Sequence, residues 1–204
     1  MNQLLIATNN KGKIKELKEL LKAVKLELVT PAQVGLDLDV VEDGATYAEN
    51  AAKKAIAFSQ ASGLVALADD SGLEVDALDG APGLYSARYG STAGHVVKLS
   101  DAERRHLLIQ NLRAKPRPWT ARFHALIAVA RPNGVTQLAE GFCDGEIVPD
   151  ERGTGGFGYD PIFLLPELGK TMAELSMEEK NRLSHRARAV MKAKQILDQL
   201  FDND

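Results

Sequence analysis

The sequence has one cysteine, Cys143, so no disulfide can form within the chain, and a reducing cytoplasm is the expected setting. No stretch approaches the ~20 consecutive apolar residues that a membrane-crossing helix needs. The first apolar run, Leu4 to Ala7, breaks at Thr8, too early for a secretory leader. Net charge is small, formally -3, and no long basic block stands anywhere. Broad electrostatic binding to nucleic acid is therefore not expected, since it needs many Lys and Arg on one face. Internal repeats and low-complexity tracts are missing as well. These absences leave a soluble globular protein with neither a membrane nor a nucleic acid as partner. At 204 residues the chain can bury roughly 70% of its unfolded surface in a substantial core.

Leu4 to Ala7 reads as a buried strand that passes through Thr8-Asn9-Asn10 into a helix over about Gly12 to Val24. Ile14, Leu17, Leu20, Leu21 and Val24 recur on one face of it, as an amphipathic helix requires. Residues 26–30 form a second short strand. Thr46 with Glu49 is a capping-box start, and Tyr47 to Ser62 an alanine-rich helix. Residues 64–68 are a third strand ending at Asp69-Asp70-Ser71-Gly72, and 73–78 a fourth. Ser100 with Glu103 starts another helix. Residues 120–130 and 135–143 are strands joined across Pro132-Asn133-Gly134, a strong hairpin signal. A glycine-rich loop covers 151–163, and a final helix runs to about Phe201. Alternating strands and helices followed by antiparallel strands predict an α/β fold, a mixed sheet flanked by helices and bent into two lobes. No linker divides residues 1–204, so a single domain is expected.

The first local conflict lies at residues 7–17, where Lys11, Lys13 and Lys15 crowd the start of a helix. Helix starts favour acids, because their unpaired N–H groups carry partial positive charge. A strand, a polar loop and a helix N-terminus make a ready anion site, and a phosphate chain would offset the misfit. A frayed helix start with its lysines in water accounts for the same residues. Asp69 and Asp70 at the end of a strand, and Glu42 and Asp43 before Gly44, are acids that a polyphosphate tolerates only with a cation between. Mg²⁺ suits that task, being held by one or two carboxylates together with substrate phosphates. Simple turn acids are the plain alternative, favoured for Asp43 and not for Asp70.

Residues 153–158 match G-x-G-x-x-G, but Tyr159-Asp160-Pro161 follows instead of a helix, so a dinucleotide fold is not indicated. The glycines would instead let a loop wrap a flat ligand, with Phe157 or Tyr159 stacking on it, or else an aromatic anchors a mobile loop in the core. Lys180, His185 and Arg186 put three donors near the start of the final helix, fit to read a base or simply to face solvent. No other His or Cys stands at ligand spacing from His185, so a metal role there is not expected. The scattered histidines allow no Ser-His-Asp arrangement either.

Taken together, "ATNNKGKIKEL", "EDGATYAENAAKKA", "ALADDSGLEVDALDGAPGLYSARY", "GFGYDPIF" and "EEKNRLSHRARA" resemble the inosine/xanthosine triphosphate pyrophosphatases, also called dITP/XTP diphosphatases. The segments occur in that order over most of the chain. The resemblance implies an elongated α/β fold with the active cleft between two lobes, usually a homodimer. It implies that Thr8, Asn9, Asn10, Lys11, Gly12 and Lys13 hold the triphosphate, assisted by Lys54. Glu42 and Asp70 would bind Mg²⁺, Asp70 also placing or deprotonating the attacking water, and Ser71 would contact substrate. Phe157, Gly158, Tyr159, Asp160, Lys180, His185 and Arg186 would surround the purine. The implied reaction is hydrolysis of ITP, dITP or XTP to the monophosphate and pyrophosphate, cleansing the cytoplasmic nucleotide pool. A non-catalytic nucleotide sensor, or a pyrophosphatase for modified pyrimidines or standard nucleotides, would use much of the same set. The resemblance is weakest between Tyr89 and Leu112, where relatives more often carry an asparagine pair, a stretch that holds none of these residues.

Overall fold

The computed structural model of the chain describes residues 2–91 and 98–201. Residues 92–97, within the stretch of weakest resemblance, lie outside the described residues. In chain order the main elements are β1 (Gln3–Ile6), α1 (Lys11–Leu21), β2 (Glu27–Val29), α2 (Tyr47–Ser62), β3 (Val65–Val75) and α3 (Asp101–Leu112). Then follow β4 (Trp119–Ala130), β5 (Thr136–Ile147), β6 (Phe163–Leu165), β7 (Lys170–Thr171), α4 (Met177–Leu183) and α5 (His185–Phe201). The strands form one sheet in the order β2-β1-β3-β4-β5-β6-β7. β1 runs parallel to β2 and β3, whereas β6 is antiparallel to β5 and β7, so the sheet is mixed and the fold α/β, as expected.

Two compact units divide the chain. One holds Met1–Asp70, Ala125–Gly141 and His185–Asp204; the other holds Ser71–His124 and Phe142–Ser184. In the first unit Leu4, Leu5 and Ile6 are all fully buried, the mark of a parallel strand covered on both faces. Leu17 and Leu21 of α1 share a core with Leu4, Ile6 and Leu67, and with Val190, Ala193 and Leu197 of α5. α2 begins at Thr46, whose hydroxyl accepts from Glu49 N at 3.1 Å, and ends at Gly63 in the left-handed region at φ +71. The hairpin at 131–135 closes through Arg131 N to Val135 O at 2.9 Å. In the second unit Leu73, Leu108, Leu112, Trp119, Phe123 and Phe163 form a separate core. α3 opens with the expected Ser100–Glu103 capping box. Among the described residues no helix is long and apolar enough to cross a membrane.

Two expectations are corrected. Residues 69–72 do not form an exposed turn between two strands: β3 continues through them, and Asp69 and Asp70 are 0% and 7% exposed. Consecutive acids ordinarily end a strand, but here cations from other elements compensate them, as described below. The final helix is also two helices. Ser184 takes an extended backbone (φ -67, ψ 153) and closes α4 through its N–H to Lys180 O, so Lys180 and Arg186 stand on different helices.

Candidate active site

Ile6 lies opposite Leu67 in the parallel register, and Ala7 N donates to Leu67 O at 2.8 Å. The chain leaving β1 therefore runs beside Ala68-Asp69-Asp70. Ligands of open parallel sheets gather at such carboxyl ends of strands. Asn10 caps α1, its side chain accepting from Lys13 N at 3.1 Å, and the first turn contains no acid. The acid comes from β3 instead. Lys13 Nζ lies 3.2 Å from Asp69 Oδ2 and donates to Asp69 O at 3.3 Å.

Lys54 reaches the same carbonyl from α2, Nζ to Asp69 O at 2.8 Å. It also donates to Glu42 Oε1 at 2.6 Å and lies 3.4 Å from Asp70 Oδ1. One backbone oxygen thus gathers two ammonium groups. On the other side of Asp69 stands Arg186, from the first turn of α5, with Nε and Nη2 each 2.9 Å from Asp69 Oδ2. Its Nη1 pairs with Glu16 of α1. Gly141 makes this approach possible, because a Cβ there would collide with the His185 carbonyl and the Ala189 backbone.

The cluster sets the acids Glu16, Glu42, Asp69 and Asp70 against Lys13, Lys54 and Arg186, an excess of one negative charge. Burial opposes the charge on Asp69, but Arg186, Lys13 and Lys54 outweigh it and hold that carboxyl well below the usual range. Burial pushes Asp70 the other way. Lys54 and Lys13 oppose the rise, but Glu42 and Asp69 add to it and the carboxyl stays above its ordinary value. Burial also lowers Lys13, helped by repulsion from Lys54 and Arg186 and resisted by Asp69. Lys54, buried too, is raised by Asp70 and Glu42. The excess negative charge is therefore located at Asp70 and Glu42, the pair expected to take a divalent cation. Among the described residues no group of three His, Cys, Asp or Glu could hold a metal alone. An ion at this pair would complete its shell with water or substrate oxygens.

Thr8, Asn9, Asn10, Lys11, Gly12, Lys13, Glu42, Asp70, His185 and Arg186 all fall in the first unit. Asn9, Asn10 and Lys11 are exposed, whereas His185 and Arg186 are 4% and 2% exposed. The Arg186 guanidinium, expected at a purine, is taken up by Asp69 and Glu16. In the sequence alone Glu16 draws no expectation, and Asp69 stays open between an acid facing a cation-bridged polyphosphate and a simple turn acid. An acid three residues after Lys13 and four before Leu20, on one helix face, was the available signal for Glu16.

Ser71, Phe157, Gly158, Tyr159, Asp160 and Lys180 belong to the second unit. There Asp160 Oδ2 accepts from Phe157 N at 2.8 Å and from Lys180 Nζ at 2.6 Å. Gly156 (φ +72) runs so close that a Cβ would meet the Asp160 carboxylate. Lys180 Nζ sits 5.4 Å from the centre of the Phe157 ring, in cation–π range. The two loop aromatics have different fates. Tyr159 is 5% exposed in the core and donates its hydroxyl to Ser86 O at 3.0 Å, so it anchors the loop. Phe157 keeps a half-buried ring and is the better placed of the two for stacking.

Residues 4–196 match the Ham1 family. The dITP/XTP pyrophosphatase of Desulforamulus reducens is 49% identical over 200 residues, 98% of this chain and 97% of its own. That of Thermus thermophilus is 48% identical over 189 residues, 92% of this chain and 88% of its own. Of the solved structures, the HAM1 protein of Coxiella burnetii aligns with a TM-score of 0.86 at 37% identity, covering 98% of this chain and 100% of that one. The Staphylococcus aureus Ham1 protein aligns at 0.83 and 38% identity, covering 97% and 99%. Sequence and backbone agree over nearly the whole length: the chain belongs to the Ham1 family.

Proposed function

We propose that this protein is a Mg²⁺-dependent nucleoside triphosphate pyrophosphatase that hydrolyses non-standard purine nucleotides, ITP, dITP and XTP, in the cytoplasm. The observation that carries the reading is the pair Lys13 and Lys54 converging on Asp69 O, beside Glu42 and Asp70 with their excess of negative charge. The names of the relatives support the same class of reaction.

In this reading water attacks the α-phosphorus. A new P–O bond forms, the α–β anhydride bond breaks, and pyrophosphate leaves. Asp70, whose burial raises its affinity for a proton, orients the water and receives that proton. Lys11, Lys13, Lys54 and the N–H groups opening α1, that of Gly12 included, take up charge on the departing pyrophosphate, with Thr8, Asn9 and Asn10 as neutral donors beside it. Glu42 and Asp70 would hold Mg²⁺, which when bound neutralises phosphate oxygens and polarises the anhydride. Ser71 assists at the phosphate end. Positioning and electrostatics thus do most of the work.

The purine is assigned to Phe157, Gly158, Asp160 and Lys180, with Phe157 stacking on the base for ~1–3 kcal/mol. Donors directed at a 6-oxo group would reject adenine, and a site built to pair in this way can discriminate up to ~10⁴-fold. Arg186 acts at one remove, by holding Asp69. The same reading takes the active form as a homodimer, checked by light scattering.

The test is pyrophosphate release from ITP with Mg²⁺ and with EDTA, followed by a panel of XTP, dITP, GTP, ATP and dTTP. Turnover confined to ITP, XTP and dITP, lost in EDTA and in folded Asp70→Asn, is the expected result. Tight ITP binding without turnover would instead make the protein a sensor.

A further inference from the structure

α3 has no part in the activity proposed above, and its sequence lies where the resemblance is weakest. Its first two turns nevertheless hold both backbone polar groups of Gly158, between Phe157 and Tyr159. Asp101 Oδ2 accepts the Gly158 N–H at 2.7 Å, and Arg105 Nη1 donates to the Gly158 carbonyl at 2.8 Å. The same guanidinium forks onto Glu151 at the start of the loop, Nε to Oε1 at 2.9 Å and Nη2 to Oε2 at 2.8 Å. Two parallel N–H bonds to one carboxylate fix direction as well as distance. Arg104 pairs with Asp101 and donates to Leu99 O, which steadies the acceptor. The Arg105 side chain is 12% exposed, so this is a built contact and not a loose surface pair.

Gly158 itself shows what the contact holds. Its φ is +62, and nothing lies within 4 Å of where a Cβ would stand. The backbone conformation, not crowding, calls for glycine there. A glycine held by few side-chain contacts is costly to order, and two charged side chains from α3 supply that order in advance. Downstream the loop is pinned by Tyr159 on Ser86 and by Asp160 on Lys180. Upstream and at Gly158 it is pinned by α3.

We propose that Asp101 and Arg105 are positioning residues for substrate selectivity, latching the loop so that the Phe157 ring is presented to the base in one conformation. This rests on the reading of the loop as the purine platform. A pre-ordered loop lowers the entropic cost of binding and leaves the α-phosphorus chemistry alone. The latch therefore governs KM and the choice among bases more than kcat.

The experiment compares Arg105→Ala, Arg105→Lys, Asp101→Ala, Asp101→Asn and Glu151→Gln with the wild type. Steady-state kinetics on ITP and GTP are paired with amide hydrogen exchange over 155–160. Arg105→Ala should raise KM for ITP about tenfold, the loss of a charged hydrogen bond, with kcat changed less than about threefold and the ITP-to-GTP preference reduced. Asp101→Asn keeps an acceptor and should recover most of what Asp101→Ala loses. Arg105→Lys cannot form the fork and should recover little. Glu151→Gln alters a half-exposed surface acid and should shift the same quantities in the same direction by less, even where Arg105→Ala fails to fold. If the wild type hydrolyses ITP while Arg105→Ala and Glu151→Gln keep its KM and preference, the latch is overturned and the activity stands. A fall in kcat with KM and preference intact overturns it too. If the wild type hydrolyses no purine triphosphate, the activity falls and hydrogen exchange decides the latch: faster exchange at Gly158 in the variants supports it, and unchanged exchange ends it.

Discussion

Replacing Arg186 with methionine keeps a side chain of similar length but removes a guanidinium that lies between two buried acids. Asp69 is 0% exposed and Glu16 4%, so neither can turn to water for compensation. Lys13 stays 3.2 Å from Asp69 Oδ2 and offsets part of the loss. Breaking a buried pair by deleting one partner costs ~3–5 kcal/mol, because the other charge is left in a poor medium. For a chain of this size each kcal/mol lowers the melting temperature by ~2–4 °C, so a fall of roughly 6–20 °C is expected. Circular dichroism melts and urea titrations at neutral pH measure it. Glu16→Gln in the same background removes one stranded acid and should return part of the stability, a coupling of ~1–3 kcal/mol in the double-mutant cycle. The sign in acid follows from Asp69. Its folded carboxyl lies below the ordinary value, so its contribution is complete above ~3.9 and is lost as pH falls towards the folded value. Without Arg186 the folded carboxyl moves up towards the ordinary value, so this acid-side loss shrinks. An Arg186→Met variant melting within ~2 °C of the wild type would refute the claim that this guanidinium compensates the acids, since even ~1 kcal/mol would show.

Three further outcomes follow from the geometry. Lys54→Met removes the ammonium that spans Glu42, Asp70 and Asp69 O, and pyrophosphate release from ITP should fall ~10²–10³-fold with the fold retained; activity within a few-fold of wild type would detach Lys54 from the reaction. Gly141→Ala forces a Cβ into the His185 carbonyl and the Ala189 backbone, so α5 must shift at a cost of ~1–3 kcal/mol, seen as a lower urea midpoint; an unchanged midpoint would mean that α5 yields freely. Glu179 should titrate at about 2, held down by the Ser176 backbone N–H and then by Lys170. Its contribution to the α4 cap is present above the ordinary value of ~4.3 and disappears as pH falls towards the folded one, so carboxyl NMR reporting an ordinary midpoint would contradict the cap.

Much of this protein could be read one short window at a time. The boundaries of α2, the capping box of α3 and the 131–135 hairpin follow from residues within a turn of each other, where capping and turn chemistry act. The lysines at the start of α1 likewise announced a missing acid. What supplied that acid could not be read locally. β3 passes through Asp69-Asp70-Ser71-Gly72, a run that local rules treat as an end, because Lys13, Lys54 and Arg186 arrive from three helices to compensate it. Arg186 stands 117 residues from Asp69 and 170 from Glu16 in the chain. Tyr159 and Phe157 look interchangeable in sequence, yet one is buried with a bonded hydroxyl and the other keeps a half-buried ring. Helix starts, turns and apolar faces are settled among near neighbours, whereas burial of a charge is settled by whichever opposite charge the fold brings within about 3 Å of it.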